Sequence, residues 1–124
     1  MREIPLLTVP NQEIETVINS TAFNIRLHTI NGKTYFDKWN RPDHIAITLA
    51  DVYINRVLIC AGVRCIPNVP IIPFRYIWEQ SGAFFFSCLD ASYPYYELFG
   101  ATQRLFYASP DEIAEKTKTR ITAG

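Results

Sequence analysis

Hydrophobic and polar residues alternate along much of this chain with a period of two, the mark of strands with one buried face. The clearest run is Phe23-Asn24-Ile25-Arg26-Leu27-His28-Thr29, where Phe23, Ile25 and Leu27 point one way and Asn24, Arg26 and His28 the other. A partly alternating run from Glu13 to Ile18 predicts a strand before it. After it, Asn31-Gly32 leads into Thr34-Tyr35-Phe36-Asp37-Lys38-Trp39, and this predicts a hairpin, because both residues of Asn-Gly tolerate positive φ. Arg41-Pro42-Asp43 breaks the pattern. Ile45, Ile47 and Leu49 then alternate with Ala46 and Thr48 as a further strand, and Val52 to Ile59 follows with Asn55-Arg56 as a turn. An amphipathic helix over 45–59 competes with this reading, but the density of Ile, Val, Tyr and Thr favours strands.

Prolines punctuate the rest. Pro5 and Pro10 make residues 1–10 an extended arm. Pro67, Pro70 and Pro73 recur every three residues, the repeat of polyproline II, and predict a stiff segment with prolines along one edge. Phe74 to Trp78 reads as a strand, Ser81-Gly82 as a turn, and Ala83 to Leu89 as a strand whose consecutive Phe84, Phe85 and Phe86 cannot share one face. Asp90 to Gly100 reads as an aromatic-packed loop and Arg104 to Ala108 as the last strand. Ser109-Pro110-Asp111-Glu112 carries a helix start, with Ser as N-cap, Pro in the first turn and Glu placed to close a capping box. That helix is short, since weak helix formers and the chain end follow. The expected fold is a mostly β, small single-domain barrel or sandwich over 1–124, with a short C-terminal helix and tail in 110–124.

Composition narrows the function classes. With 124 residues, 48% hydrophobic and 19% charged, the chain suits one globular core. Aromatics reach 14%, more ring area than a core of this size needs, so part of it is expected to meet a partner. Twelve basic residues balance twelve acidic ones, which argues against sequence-specific nucleic-acid binding. The run Lys116, Lys118 and Arg120 follows Asp111, Glu112 and Glu115 and reads as a solvated tail. Three cysteines and no signal-peptide pattern argue for a reducing compartment. The longest apolar stretch, Val57 to Val63, is too short to span a bilayer, so no membrane association is expected.

Candidate chemistry is sparse. His28 lies on the polar face of a strand and His44 in a turn, neither in a metal-ligand spacing. Cys60 and Cys65 are not in a CxxC pattern, and with Cys88 they read as small buried hydrophobes. Asp37, Asp43, Asp51 and Asp90 fall at or near turns, and phosphate-loop and nucleophile-elbow motifs are missing. No catalytic residue, cofactor or metal is expected. Instead, the proline-edged segment 66–73, the aromatic loop 93–99 and the N-terminal arm stand out. They either cap an ordinary β domain or dock other subunits. On the docking reading the interface candidates are Pro67, Val69, Pro70, Ile72, Pro73, Tyr93, Tyr95, Tyr96 and Phe99.

The same segments, in order, carry a family resemblance: Ile4-Pro5-Leu6 and Val9-Pro10-Asn11-Gln12; Gly62-Val63-Arg64-Cys65-Ile66-Pro67-Asn68, then Pro70-Ile71-Ile72-Pro73-Phe74-Arg75-Tyr76; Gly82-Ala83-Phe84-Phe85-Phe86; Tyr93-Pro94-Tyr95-Tyr96 and Phe99-Gly100-Ala101-Thr102-Gln103-Arg104-Leu105. This set resembles the short baseplate plug family of contractile-tailed bacteriophages over residues 3–110. The chain is longer than that pattern at 38–56, and the tail after Pro110 matches none of it. The resemblance implies a structural protein of the virion, a plug or hub element at the junction of tail tube and central hub. It implies assembly in the host bacterial cytoplasm, several copies per virion in contact with other baseplate, hub and tube proteins, and neither enzyme activity nor cofactor. Three-fold and six-fold copy numbers both remain open. A free-standing β-barrel that binds a ligand or single-stranded nucleic acid on aromatic strands is the alternative, and a small enzyme with a site built from distant residues is a third reading.

Overall fold

A computed structural model describes residues 1–36, 42–89 and 93–114, with the side chains of 31–36 and 42–46 left out of the description. Among the described residues, seven strands form two antiparallel sheets. The first holds β2 (Asn11–Ile18), β3 (Thr21–Phe36), β4 (Pro42–Ile54) and β5 (Val57–Arg64) in that order; the second holds β1 (Arg2–Ile4), β7 (Gln103–Ala108) and β6 (Ala83–Cys88) in the order β1-β7-β6. Neither sheet closes on itself. Of the two expected architectures the molecule is therefore the sandwich and not the barrel.

The period-two pattern of the sequence sets the inner faces. Phe23, Ile25 and Leu27 of β3 are buried opposite Thr16, Ile14 and Gln12 of β2 and Ile54, Val52 and Ala50 of β4. Across the gap Phe84, Phe86, Leu105 and Tyr107 face them from β6 and β7. Phe23 joins the layers, its ring centroid 5.0 Å from Phe84 and 5.9 Å from Tyr107. The Phe84-Phe85-Phe86 run divides as pleat geometry requires: Phe84 and Phe86 point inward, and Phe85 stacks on Phe106 on the outer face at 6.1 Å.

Several expectations need correction. Asn31-Gly32 is not a hairpin turn. β3 runs straight through it, and the pairing with β4 shifts between Asn31, opposite Ala46, and Thr34, opposite His44, so two residues of β3 face one of β4 as in a β-bulge. The ladder instead continues to Phe36, which pairs with Pro42. Tight two-residue turns occur elsewhere, at Asn19-Ser20 (φ 50° and 64°) and Asn55-Arg56 (φ 49° and 68°), where positive φ at both positions is the primed turn that matches strand twist. Asn55-Arg56 was legible beforehand; Asn19-Ser20 was not. In β4 the strand is right but its inner face is the other one: Thr48, Ala50 and Val52 are buried while Ile47 and Leu49 are half-buried. Phe74–Trp78 is not a strand. Helix α1 (Arg75–Ser81) begins there and ends at Gly82, whose N–H donates to the Trp78 carbonyl oxygen at 3.0 Å.

The C-terminal helix start is as expected. Ser109 Oγ accepts from the Glu112 N–H at 3.3 Å, Glu112 Oε1 accepts from the Ser109 N–H at 3.2 Å, and 110–114 is helical. The far end of the run Thr34–Trp39, Arg41, the loop start at Asp90, the side chain of His44 and the tail from 115 lie outside the described residues.

Candidate functional site: one end of the sandwich

Strands β3 and β4 outrun their neighbours. Beyond the Thr29 N–H to Pro10 carbonyl bond on one side and the Cys65 N–H to Thr48 carbonyl bond on the other, their strand partners among the described residues are each other, as a two-stranded ribbon. Six residues of β3, 31–36, extend about 20 Å at a strand's rise. Around the root of this ribbon sit the N-terminal segment 5–10, the start of the proline-edged segment, and the loop 93–99.

Two polar side chains buried at inward-facing strand positions hold that loop. Gln103 is fully buried; its Oε1 accepts from the Tyr95 N–H at 2.7 Å and its Nε2 donates to the Tyr93 carbonyl at 2.8 Å. Thr48 Oγ1 donates to the Pro94 carbonyl at 2.7 Å, and the Thr48 carbonyl accepts from Cys65, so one residue ties together the loop, the ribbon and the proline-edged segment. Phe99 stacks on Phe86 at 5.4 Å, and the Thr8 hydroxyl reaches the Phe99 carbonyl at 3.5 Å. Sequence reasoning missed Gln103 and Thr48. Their signal was a polar residue at the core phase of a strand, hidden at Thr48 because the opposite phase carried the larger apolar residues.

The interface candidates divide accordingly. Tyr93 is 54% exposed, with the Arg64 guanidinium 4.6 Å from its ring centroid, and Val69 is 45% exposed. Tyr95 and Tyr96 are half-buried with centroids 4.7 Å apart, and their mutual hydrogen bond keeps the Tyr95 phenol above its ordinary pKa. Pro73 is exposed, and Pro67 and Pro70 are half-buried. Ile72 and Phe99, in contrast, are core residues at 0% and 4% exposure and drop out as surface contacts. The physical reason is that 66–73 is no straight polyproline rod. Asn68 turns the chain at φ 60°, and the Asn68 and Ile71 N–H groups donate to Phe86 and Phe84 carbonyls, both at 2.8 Å. The segment thereby lines the edge of β6 and drops Ile71 and Ile72 into the core.

The remaining reactive groups have structural surroundings. His28 Nε2 lies 3.2 Å from Asp51 Oδ2, while Asp51 Oδ1 accepts from the Gly62 N–H at 2.7 Å across a bulge in β5. Burial pushes the Cys65 thiol up to about 12, aided by neighbouring Cys60, and burial also raises Cys60, so both stay protonated near neutral pH. Among the described residues no group of three or more His, Cys, Asp or Glu is arranged to hold a metal ion, and no helix is long and apolar enough to cross a membrane. Of the strand aromatics, Phe23, Phe84 and Phe86 are buried in the core, while Phe85 and Phe106 stack on the outer face.

What this end offers is contact. Backbone held by buried hydrogen bonds presents Tyr93, Tyr95 and exposed Leu7, Ile30 and Ile66 around a projecting ribbon, an arrangement that loses little entropy when it docks. Comparison with curated proteins returned no matching relative. The family model described as cyanophage baseplate Pam3 plug gp18 matches residues 1–111, spanning both sheets, the 38–56 stretch and the whole candidate end. This chain therefore belongs to the phage baseplate plug family, and its role is that of a structural component of the tail baseplate.

Proposed function

We propose that this protein acts as the plug itself, in several copies, at the junction of tail tube and central hub of a contractile tail, assembled in the host cytoplasm before the tail closes around it. The carrying observation is the family match across 1–111. The sandwich end supports it: a ribbon and an anchored aromatic loop suit a part wedged among neighbours of different symmetry. On this reading the docking residues are Pro67, Val69, Pro70 and Pro73 on the proline-edged segment with Tyr93, Tyr95 and Tyr96 on the loop. The protein performs no chemical step, and its neighbours are the hub and tube proteins.

Co-expression with the tail-tube and hub proteins of the same phage, followed by size-exclusion chromatography, tests the assignment. The native chain should elute with them. Tyr93→Ser with Tyr95→Ser should keep the melting temperature within a few degrees, since both rings are largely outside the core, while abolishing co-elution. Normal assembly of that double variant refutes the docking residues; a native chain that ignores both partners refutes the plug position.

A further inference from the structure

The sheet edges of the sandwich are protected unequally. The outer edge of β6 is covered by the proline-edged segment, whose Asn68 and Ile71 N–H groups donate to the Phe86 and Phe84 carbonyls. β1 is only three residues long, and β5 is interrupted by a register shift around Gly62. Short and bulged edges resist the addition of a strand. β2 has neither device: it is eight residues long, its pairing with β3 is regular, and among the described residues β3 is its one strand partner. We propose that the outer edge of β2 receives an extended, basic segment of a partner chain as an added antiparallel strand.

The hydrogen-bond phase of β2 is fixed at both ends. Positive φ at Asn19 and Ser20 makes a two-residue turn, so the flanking Ile18 and Thr21 are a hydrogen-bonded pair. At the other end the Pro10 carbonyl accepts from the Thr29 N–H, in the same phase. Even-numbered residues of β2 therefore bond to β3, and the N–H and C=O groups of Glu13, Glu15 and Val17 point away from it. Beside them runs a groove of about 480 Å³, with Ile4 and Leu7 on one wall and Ile14 and Thr16 on the other. Gln12 closes its far end, bonding Leu7 and Val9 through its side-chain amide. A strand laid on this edge places alternate side chains over the groove and the others beside Glu13 and Glu15.

Charge selects the occupant. Glu13 and Glu15 stand exposed on the outer face; Asn24 Nδ2 donates to both, and the Arg26 guanidinium lies 3.8 Å from Glu13. That guanidinium also sits over the Tyr53 ring, 5.0 Å from its centroid, so one shared cation faces two carboxylates. Aligned end to end, a second antiparallel copy of β2 would set Glu13 against Glu15 twice, and like charges directly opposite disfavour pairing. The same carboxylates attract a strand that carries lysine or arginine at every second position. Its intervening residues would meet Ile4, Leu7, Ile14 and Thr16, which calls for β-branched apolar side chains there. The glutamates thus hold copies of this chain apart and leave the edge open to a basic partner.

Amide exchange followed by NMR on the isolated full chain tests this, with a capped peptide of alternating lysine and valine, as long as β2, as the probe. At a peptide concentration on the order of 1 mM, the Glu13, Glu15 and Val17 amides should exchange at least roughly tenfold more slowly than without it. A glutamate–valine peptide of the same length should give no protection, and Glu13→Lys/Glu15→Lys should reverse the preference between the two peptides. N-methylation of the lysine amides should abolish protection, because in an antiparallel pair those N–H groups face β2. Protection that survives the methylation, or that both peptides give equally, overturns the added strand. No protection with the lysine peptide overturns the basic partner. Slow exchange in the free chain means that the edge is already covered, and slow exchange that grows with protein concentration puts a second copy there; either result overturns the assignment. The isolated chain suffices for these measurements, so a failure here leaves the plug position standing, and the reverse.

Discussion

At the scale of single residues, position in the backbone decides what a side chain costs. Gly82 ends α1 at φ 91° and ψ −177°, a region only glycine enters readily. A Cβ there would stand 2.5 Å from Tyr107 Oη and 2.6 Å from the Ala108 carbonyl oxygen. The Tyr107 hydroxyl is itself fixed, donating to the Ser81 carbonyl at 2.7 Å. Gly82→Ala should therefore cost more than about 2 kcal/mol, from backbone strain together with overpacking. Gly62 also has positive φ, 62°, but a Cβ there meets nothing within 4 Å, so Gly62→Ala should cost only the left-handed conformation, about 1 kcal/mol. Urea denaturation of both variants checks the contrast; equal losses would contradict it. Gln103 shows the complementary rule, a polar side chain accepted in the core because both ends of its amide bond loop backbone.

Local chemistry and long-range pairing compete at the scale of elements. Asn31-Gly32 has the preferred composition for a primed turn, yet it lies within β3 because Ala46 and His44 of β4 continue the ladder past it. Asn55-Arg56 is a less favourable pair that does form the turn, helped by Asn55 Oδ1 accepting from the Ala22 N–H at 3.0 Å. Arg56 holds φ 68° with a full side chain. Arg56→Gly should then stabilise the protein by about 0.5–1 kcal/mol, the relieved strain exceeding glycine's extra unfolded-state entropy. Thermal melting checks this, and a lowered melting temperature would mean that the turn is not strained. The α1 segment shows the same ambiguity from the other side. Phe74, Tyr76 and Trp78 alternate like a strand, but a run of five apolar-rich residues fits either period. Here Arg75 and Glu79 pair one turn apart at 3.4 Å, Ile77 and Trp78 face the core, and Phe74 and Tyr76 stay exposed.

For the molecule as a whole, the first residue meets the last described helix. Glu112 closes the capping box at Ser109 and bonds the Met1 amino group, so a single carboxylate links the last helix to β1. Those contacts, the Met1 ammonium foremost and then the Ser109 N–H, hold its pKa below the ordinary 4.5. A carboxylate depressed in the folded state contributes its stability above the unfolded value, and that contribution fades as pH falls through the lower folded value. The difference in melting temperature between the native chain and Glu112→Gln should accordingly be present at neutral pH and shrink below about pH 4.5. A difference that persists unchanged at pH 3 would remove the carboxylate's charge from the account. Because this contact sits on the surface, the effect is expected to be small and to weaken with salt. It lies away from the end proposed for docking.

Reading along the chain was enough to establish that it is mostly β, that Phe23, Ile25 and Leu27 form an inner face, that a capping box opens the last helix, and which family the ordered motifs resemble. These are legible because strand periodicity, cap chemistry and motif order are written in neighbouring residues. Folding was needed to show that the sheets form an open sandwich, that β4 turns Thr48 and Ala50 inward instead of Ile47 and Leu49, and that Ile72 and Phe99 are core. In β4 both faces carry apolar residues, so periodicity alone is blind to the choice. It follows from register with β3, where Leu27 lies opposite Ala50 and Thr29 opposite Thr48. Likewise, Ile72 is buried because the Asn68 and Ile71 N–H groups find carbonyls on β6. A pairing between residues more than a dozen positions apart leaves no trace in local composition, and that is why the sandwich end had to be seen folded before it could be read as a surface.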